Sequence, residues 1–221
     1  MIQAVLFDLD GTLLDTEPDF TLILNDMLAA HAQPGVDGTV VRKFVSAGAL
    51  SVVRQGFNLK ENDPRVSVLL ADFLERYTRQ IPQTRAGLFT DIDLVLASLH
   101  DRGIPWGIMT NKARRFSEPL LALFESFATC ATLVCPDDVG KGKPDPAGLL
   151  LGCAQLNLAP CDVLYVGDHP RDIEAAKNAG MPSVAVVWGY LPEDSHISEW
   201  GAEFISDTPR ALLAQIAQYG K

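Results

Sequence analysis

The sequence has few cysteines and no long hydrophobic run. Its four cysteines, Cys130, Cys135, Cys153 and Cys161, are spread over a chain of 221 residues without a CxxC pair, which argues against a zinc site or a redox pair. Isolated thiols of this kind are typical of a reducing compartment. No stretch approaches the length of a membrane span, and the opening residues lack the basic start of a signal peptide. We therefore predict a cytoplasmic protein with no membrane partner.

Basic residues are also scarce. The chain has 18 Lys and Arg against 28 Asp and Glu, so its net charge is -10. Such an acidic chain is poorly suited to the phosphate backbone of a nucleic acid, and we predict no nucleic-acid partner. It can still bind a small anion where a metal and a few cations are concentrated in one cleft. A hydrophobic content of 48% and a charged content of 21% are typical of a globular protein whose core needs no disulfides.

Short apolar runs recur along the chain and end at polar residues. They lie at residues 4–7, 106–109, 132–135, 163–166 and 183–187. Continuous runs of this length are typical of strands that are buried on both faces of a parallel sheet. Helical patterns lie between several of them, at residues 91–100, 118–124, 146–156 and 172–179, and a last one lies at 209–217. The alternation predicts an α/β fold with a doubly wound, Rossmann-like parallel sheet.

The segment from residue 16 to residue 82 breaks this alternation. It has no convincing buried strand, and it has helical patterns at residues 19–30, 40–48 and 66–79. Thr39 is placed to cap the second of these helices, and Pro64 precedes the third. We predict a sheet core made of residues 1–15 and 83–221, and an inserted α-helical cap domain made of residues 16–82.

Polar clusters follow four of the predicted strands. They are Asp8 with Asp10, Thr110 with Asn111, Lys143 after a glycine-rich loop, and Gly167 with Asp168. Each one alone has an ordinary interpretation, since Asp, Asn and Thr commonly cap helices or form turns. In an open parallel sheet, however, the ligand crevice lies at the carboxyl ends of the strands. We therefore expect the four clusters to converge on one site.

These residue types suit the transfer of a phosphoryl group. Asp8 and Asp168 offer the oxygen ligands that Mg²⁺ prefers, and an aspartate can also attack phosphorus as a nucleophile. Asp10 can protonate the leaving oxygen and later activate water. Thr110 and Lys143 can hold phosphoryl oxygens, and this chemistry depends mostly on such positioning and electrostatics. The sequence therefore predicts Mg²⁺ as the cofactor.

The motifs resemble those of the haloacid dehalogenase superfamily over nearly the whole chain. DLDGTLLDT at residues 8–16 resembles the first motif, DxDGT, and GDHPRD at residues 167–172 resembles the fourth, GDxxxD. Thr110 resembles the Ser/Thr of the second motif, and Lys143 in KPDP resembles the lysine of the third.

The resemblance implies a role for each matched residue. Asp8 would be the nucleophile and Asp10 the acid/base. Mg²⁺ would be held by Asp8, by the backbone carbonyl of Asp10 and by Asp168, with Asp172 as a further acidic ligand or a group beside the metal. Thr110, Asn111 and Lys143 are the predicted phosphate-binding residues, and the inserted helices would form a cap that closes over the site.

Within the superfamily, the chain resembles the phosphoglycolate phosphatase group. A narrower resemblance is to the bacterial N-acetylmuramic acid 6-phosphate phosphatases, through WGIMTNK, CPDDV, KPDP, YVGD with RDIE, and GYLPED. This implies a phosphatase that acts through an aspartyl-phosphate on a small phosphorylated metabolite, as a monomer or homodimer. Ser46 and Gly48 in the insert are candidate specificity residues, because a glycine allows substrate to approach the backbone closely. An ordinary helix end at Gly48 is an equally open interpretation.

Two other functions stay open at this point. A phosphomutase of the β-phosphoglucomutase type has the same core residues and transfers the phosphoryl group to a sugar rather than to water. A receiver-like phospho-acceptor module would also use Asp8, but it needs neither Asp10 nor an inserted helical segment. A dehalogenase is disfavoured, because halide departs without a proton and Asp10 would then have no task.

Overall fold

A computed structural model describes residues 2–193 and 195–219. Within these residues the chain forms eight strands: β1 (Ala4–Phe7), β2 (Leu14–Asp15), β3 (Gly87–Leu88), β4 (Trp106–Met109), β5 (Thr132–Val134), β6 (Val163–Gly167), β7 (Ser183–Val186) and β8 (Phe204–Ser206). Six of them form one sheet in the order β5-β4-β1-β6-β7-β8. Every pair of neighbours in this sheet is parallel, whereas β2 and β3 form a separate antiparallel pair.

Ten α-helices accompany these strands in the described part of the chain. They are α1 (Glu17–Ala30), α2 (Gly38–Val45), α3 (Gly48–Gly56), α4 (Arg65–Gln80), α5 (Ile92–Asp101), α6 (Arg114–Leu121), α7 (Pro136–Val139), α8 (Ala147–Leu156), α9 (Pro170–Ala179) and α10 (Pro209–Tyr219). The first four lie between β2 and β3 in the chain. None of the helices so described is long and apolar enough to cross a membrane.

The central strand β1 shows why its sequence is apolar without interruption. Its four residues are all buried, and it lies between β4 and β6 with Val5 opposite Trp106 and Leu164. Val5 belongs to the apolar cluster on one face of the sheet, and Leu6 belongs to the cluster on the other face. A strand that is covered on both faces has no polar side to present. The predicted α/β fold with a doubly wound parallel sheet is confirmed.

The helical insert differs in detail from the prediction. Its apolar contacts include the ring of Phe20 in α1, which lies 5.2 Å from the ring of Tyr77 in α4, centroid to centroid. The helix predicted at residues 40–48 is wrong, because α2 ends at Val45 and α3 begins at Gly48. The φ of +82° at Gly48 lies outside the helical region. The division of the chain into two domains, 1–15 with 83–221 and 16–82, stays a prediction.

Two further predictions on helix ends are wrong. Thr39 does not cap α2, because the residue before the helix is Asp37 and its carboxylate accepts a hydrogen bond of 2.8 Å from the Thr39 N–H. The helix predicted at residues 118–124 is α6, which starts earlier, at Arg114, and ends at Leu121.

Candidate active site

The carboxyl edge of the sheet brings the predicted polar residues together. Asp8 follows β1, Thr110 follows β4 and Asp168 follows β6, so three neighbouring strands each deliver a side chain to one place. Lys143 reaches the same place from the loop between α7 and α8, and Asp172 reaches it from the first turn of α9. Chain topology thus places residues that are far apart in the sequence beside each other.

Lys143 lies at the centre of this group with its side chain only 1% exposed. Its Nζ lies 2.7 Å from Asp8 Oδ1 and 2.8 Å from Asp172 Oδ1. It also donates hydrogen bonds to the Tyr165 hydroxyl at 2.8 Å and to the Met109 carbonyl at 3.3 Å. Burial lowers the pKa of Lys143, but the carboxylates of Asp172 and Asp8 together raise it by a larger amount. The net pKa is therefore raised. The ammonium is therefore charged at neutral pH.

Asp8, Asp168 and Asp172 form a compact acidic cluster. Each offers a carboxylate oxygen, and these oxygens lie within 4.8 Å of one another. Burial raises the pKa of Asp8 to about 6, with Lys143 lowering it and Asp172 raising it. Burial, followed by the charges of Asp172 and Asp8, raises the pKa of Asp168 to about 8. Three carboxylates against one ammonium leave excess negative charge on hard oxygen donors, and this donor set fits a divalent cation such as Mg²⁺.

Asp168 is held in place by the first motif and by the loop after β7. Its Oδ1 accepts a hydrogen bond from the Thr12 hydroxyl at 3.1 Å, and its Oδ2 accepts one from the Tyr190 N–H at 2.7 Å. Gly11 lies against the same carboxylate with a φ of +91°, and a Cβ there would lie 2.2 Å from Asp168 Oδ2. Both the backbone angle and the lack of space therefore require glycine in the DLDGT motif.

Asp10 lies beside this cluster and is bound by a lysine that the sequence analysis did not single out. Lys112 Nζ lies 2.8 Å from Asp10 Oδ1 and 3.1 Å from Oδ2, and the Thr16 hydroxyl donates to Oδ1 at 2.8 Å. Lys112 also lies over two rings of the insert, 4.7 Å from the centroid of Tyr77 and 5.4 Å from that of Phe20. Burial lowers the pKa of Lys112, but Asp10 and Tyr77 together raise it by more, so the net pKa is raised. Its signals in the sequence are its position two residues after Thr110 and its place at the end of WGIMTNK.

Thr110 and Asn111 face the cluster from the end of β4. Thr110 is buried, and its hydroxyl accepts a hydrogen bond from the Lys112 N–H at 3.1 Å. The side chain of Asn111 donates to the Lys143 carbonyl at 3.1 Å and accepts from the Lys143 N–H at 2.7 Å. The Asn111 amide thus holds the backbone of Lys143, and its role as a phosphate ligand stays a prediction.

A cavity of about 420 Å³ extends from the carboxylates toward the inserted helices. Its polar end includes Asp8, Asp10, Thr110, Lys112 and Lys143, and its apolar wall includes Phe20, Leu74, Tyr77 and Phe116. Ionic groups at one end and aromatic faces at the other are a common arrangement for binding a small molecule.

The predicted specificity residues lie on the wall of this cavity. Ser46 and Gly48 both line it. The Ser46 hydroxyl donates to the Tyr190 carbonyl at 3.2 Å and to Asp168 Oδ2 at 3.4 Å, and its carbonyl accepts from the Arg171 guanidinium. A Cβ on Gly48 would meet no atom within 4 Å, so its positive φ, rather than crowding within the protein, favours glycine there. Contact of either residue with substrate stays a prediction.

Comparison with known proteins agrees with this geometry. The family model of haloacid dehalogenase-like hydrolases matches residues 5–186, and the chain belongs to this family. The chain is 43% identical over 212 residues to an N-acetylmuramic acid 6-phosphate phosphatase of Pseudomonas aeruginosa, covering 96% of this chain and 93% of the relative. It is 37% identical over 210 residues to a phosphoglycolate phosphatase of Xanthomonas campestris, covering 95% and 94%. The chain is accordingly an enzyme, a phosphoric monoester hydrolase.

A solved structure shows the same fold. A predicted phosphoglycolate phosphatase from Haemophilus somnus superposes with a TM-score of 0.83 at 23% identity, covering 100% of this chain and 98% of the other.

Proposed function

We propose that the protein is a Mg²⁺-dependent phosphatase that forms a transient aspartyl-phosphate on Asp8. The observation that carries the proposal is the buried cluster of Asp8, Asp168 and Asp172 around the ammonium of Lys143. Asp8, Asp168 and the backbone carbonyl of Asp10 would hold the metal, and Asp172 would keep its contact with Lys143. When bound, Mg²⁺ would neutralise charge on a phosphoryl oxygen.

The residues of the chain account for both halves of the reaction. In the first half, an oxygen of Asp8 bonds to phosphorus while the bond from phosphorus to the ester oxygen breaks, and Asp10 gives its proton to that leaving oxygen. In the second half, Asp10 takes a proton from water as the water oxygen bonds to phosphorus. The bond between phosphorus and Asp8 breaks, so inorganic phosphate leaves and Asp8 is restored. Thr110 and Lys143 would hold the oxygens of the phosphoryl group throughout.

Contacts on Asp10 support its place in this scheme. Thr16 and Lys112 each donate to its Oδ1 at 2.8 Å, which restrains the orientation of the carboxylate. An acid/base that is already restrained has less conformational freedom to lose in the transition state. The rings of Phe20 in α1 and Tyr77 in α4 contact Lys112 in turn, which restrains the lysine that binds Asp10.

The cavity favours the larger of two candidate substrates. The relatives' names indicate 2-phosphoglycolate and N-acetylmuramic acid 6-phosphate. A cavity of about 420 Å³ lies within the usual range of small-molecule sites, about 300–1,000 Å³. A two-carbon acid phosphate would leave much of that space to water, whereas an amino-sugar phosphate would occupy more of it, beside the aromatic wall. We infer that N-acetylmuramic acid 6-phosphate is the better substrate. We also infer a cytoplasmic enzyme, because its four cysteines are free thiols.

Phosphate release tests the proposal. The purified protein with MgCl₂ should release inorganic phosphate catalytically from both esters, with the higher kcat/KM for the amino-sugar ester, since discrimination lies in kcat/KM. EDTA should abolish release, and added Mg²⁺ should restore it. Asp8→Asn should abolish turnover and leave the fold intact, because it removes the nucleophile with little change in volume.

The same assay separates the alternatives. Substantial turnover by Asp8→Asn, or turnover that survives thorough chelation, would contradict the proposed mechanism. A single stoichiometric phosphorylation would favour a receiver-like module, and an isomerised sugar phosphate without free phosphate would favour a mutase.

A further inference from the structure

Four cationic side chains line the cavity among the residues that the structure describes: Lys112, Arg115, Lys143 and Arg171. Three of them already have strong polar partners. Lys143 contacts Asp8 and Asp172, and Lys112 contacts Asp10. Arg171 donates to the Ser46 carbonyl and to His169 Nδ1. Each of these three therefore already has a polar partner within the protein.

Arg115 differs from the other three. It is exposed, and its guanidinium lies over an aromatic ring, with the guanidinium carbon 4.5 Å from the Phe116 centroid. No carboxylate within residues 2–193 and 195–219 forms an ion pair with it. The preceding residue, Arg114, shows the contrast, because it bonds to Asp138 at 2.5 Å and to Glu118 at 2.7 Å. Arg115 thus presents a charged group with free hydrogen-bond donors beside the cavity.

Arg115 lines the same cavity as Asp8 and Lys143. Residues 110–113 line the cavity together with Arg115 and Phe116, so one continuous stretch of chain leads from Thr110 to the first turn of α6. Phe116 in turn lies 5.4 Å from Tyr77, centroid to centroid. A guanidinium that rests on an aromatic ring is restrained without losing its donors.

We propose that Arg115 binds a carboxylate of the substrate and so selects phosphomonoesters that carry a second, carboxylic anion. This rests on the proposed phosphatase function, whose two candidate substrates are both phosphorylated carboxylic acids. The planar guanidinium matches a carboxylate through two parallel hydrogen bonds. The phosphoryl group would lie against Asp8 and Lys143, and the carboxylate would lie at the start of α6.

A matched pair of esters tests this selection. N-acetylmuramic acid 6-phosphate and N-acetylglucosamine 6-phosphate differ only in the lactyl ether that carries the carboxylate. The ratio of their kcat/KM values should fall about ten- to hundred-fold in Arg115→Met, as expected for loss of a hydrogen-bonded charged contact. Arg115→Lys keeps the positive charge but cannot form two parallel hydrogen bonds to one carboxylate, so it should give an intermediate ratio. Arg102→Met, at the exposed residue that follows α5, is the matched control and should keep the wild-type ratio.

Binding measurements keep the two proposals distinguishable. In an Asp8→Asn background, calorimetry with the same two esters should show the same loss of preference in Arg115→Met without any turnover. An unchanged ratio in both kinetics and binding, or an equal loss for both esters, would overturn the assignment of Arg115. Failure of the wild-type protein to turn over either ester, with the binding preference intact, would count against the phosphatase proposal and in favour of the Arg115 contact.

Discussion

Replacing Lys143 with methionine removes a buried charge and nearly preserves side-chain length. In the structure, the ammonium lies 2.7 Å from Asp8 and 2.8 Å from Asp172, with its side chain 1% exposed. Breaking a buried ion pair from one side leaves an uncompensated charge, which costs about 3–5 kcal/mol. We expect Lys143→Met to lose about that much unfolding free energy at alkaline pH, where Asp8 has to be ionised without its partner.

Urea denaturation without Mg²⁺ measures this loss. With an m-value of about 2 kcal/mol/M, the midpoint should fall by about 1.5–2.5 M urea. Lys141→Met is the matched control, because Lys141 lies in the same loop with its side chain 67% exposed and pairs with Asp145 at 3.1 Å. An exposed pair of this kind contributes at most about 1 kcal/mol, so the control should shift the midpoint far less.

The pH dependence of the loss tests its electrostatic origin. The pKa of Asp8 is raised to about 6 even with Lys143 present, and without the ammonium it should rise further. Near pH 5 the freed carboxyl group can take up a proton, so the destabilisation should shrink. A loss no greater than that of Lys141→Met, or a loss of equal size at pH 5 and pH 8, would refute the reasoning.

Two further predictions concern the acidic cluster. The raised pKa values of Asp8 and Asp168, about 6 and about 8, mean that the folded metal-free protein binds more protons than the unfolded chain. Its stability should therefore fall as pH rises from about 4 to about 8, and the gain in Tm from MgCl₂ should be larger at pH 8 than at pH 5. Equal gains would contradict this. Gly11→Ala should lower stability by about 1–3 kcal/mol and weaken the Mg²⁺-induced rise in Tm, because its Cβ would meet Asp168 Oδ2 at 2.2 Å. Gly103→Ala is the control, because Gly103 also has a positive φ but has open space around it. It should lose less stability and keep the full Mg²⁺-induced rise in Tm.

The central sheet was predictable because burial on both faces leaves an unmistakable pattern. The observed β1 and β4 match the predicted runs at residues 4–7 and 106–109. The strand β8 was missed, since Phe204 and Ile205 are only partly buried or exposed and its pattern does not stand out. The helix α3 was missed as well, and α2 was predicted to run on to Gly48, because the small residues at 46–49 do not mark where one helix ends and the next begins.

The candidate site was predictable where chemistry is concentrated in motifs at strand ends. The sequence pointed to Asp8, Lys143, Asp168 and Asp172, and the structure brings these residues together. Lys112 was missed for a physical reason. A lysine just beyond a strand is ordinarily solvated, and the rings of Phe20 and Tyr77 that bury this one come from helices much earlier in the chain.

Lys112 also connects Asp10, the proposed acid/base, to the helices α1 and α4. Its ammonium contacts Asp10 on one side and the rings of Phe20 and Tyr77 on the other. Movement of α1 or α4 away from the sheet would remove the two rings from Lys112 and loosen its hold on the Asp10 carboxylate. The position of the helices and the orientation of Asp10 would then be linked, and such linkage is reciprocal. A ligand that holds the helices against the sheet would also keep Asp10 in place, whereas an open site would leave Asp10 less well oriented toward any phosphate ester that enters.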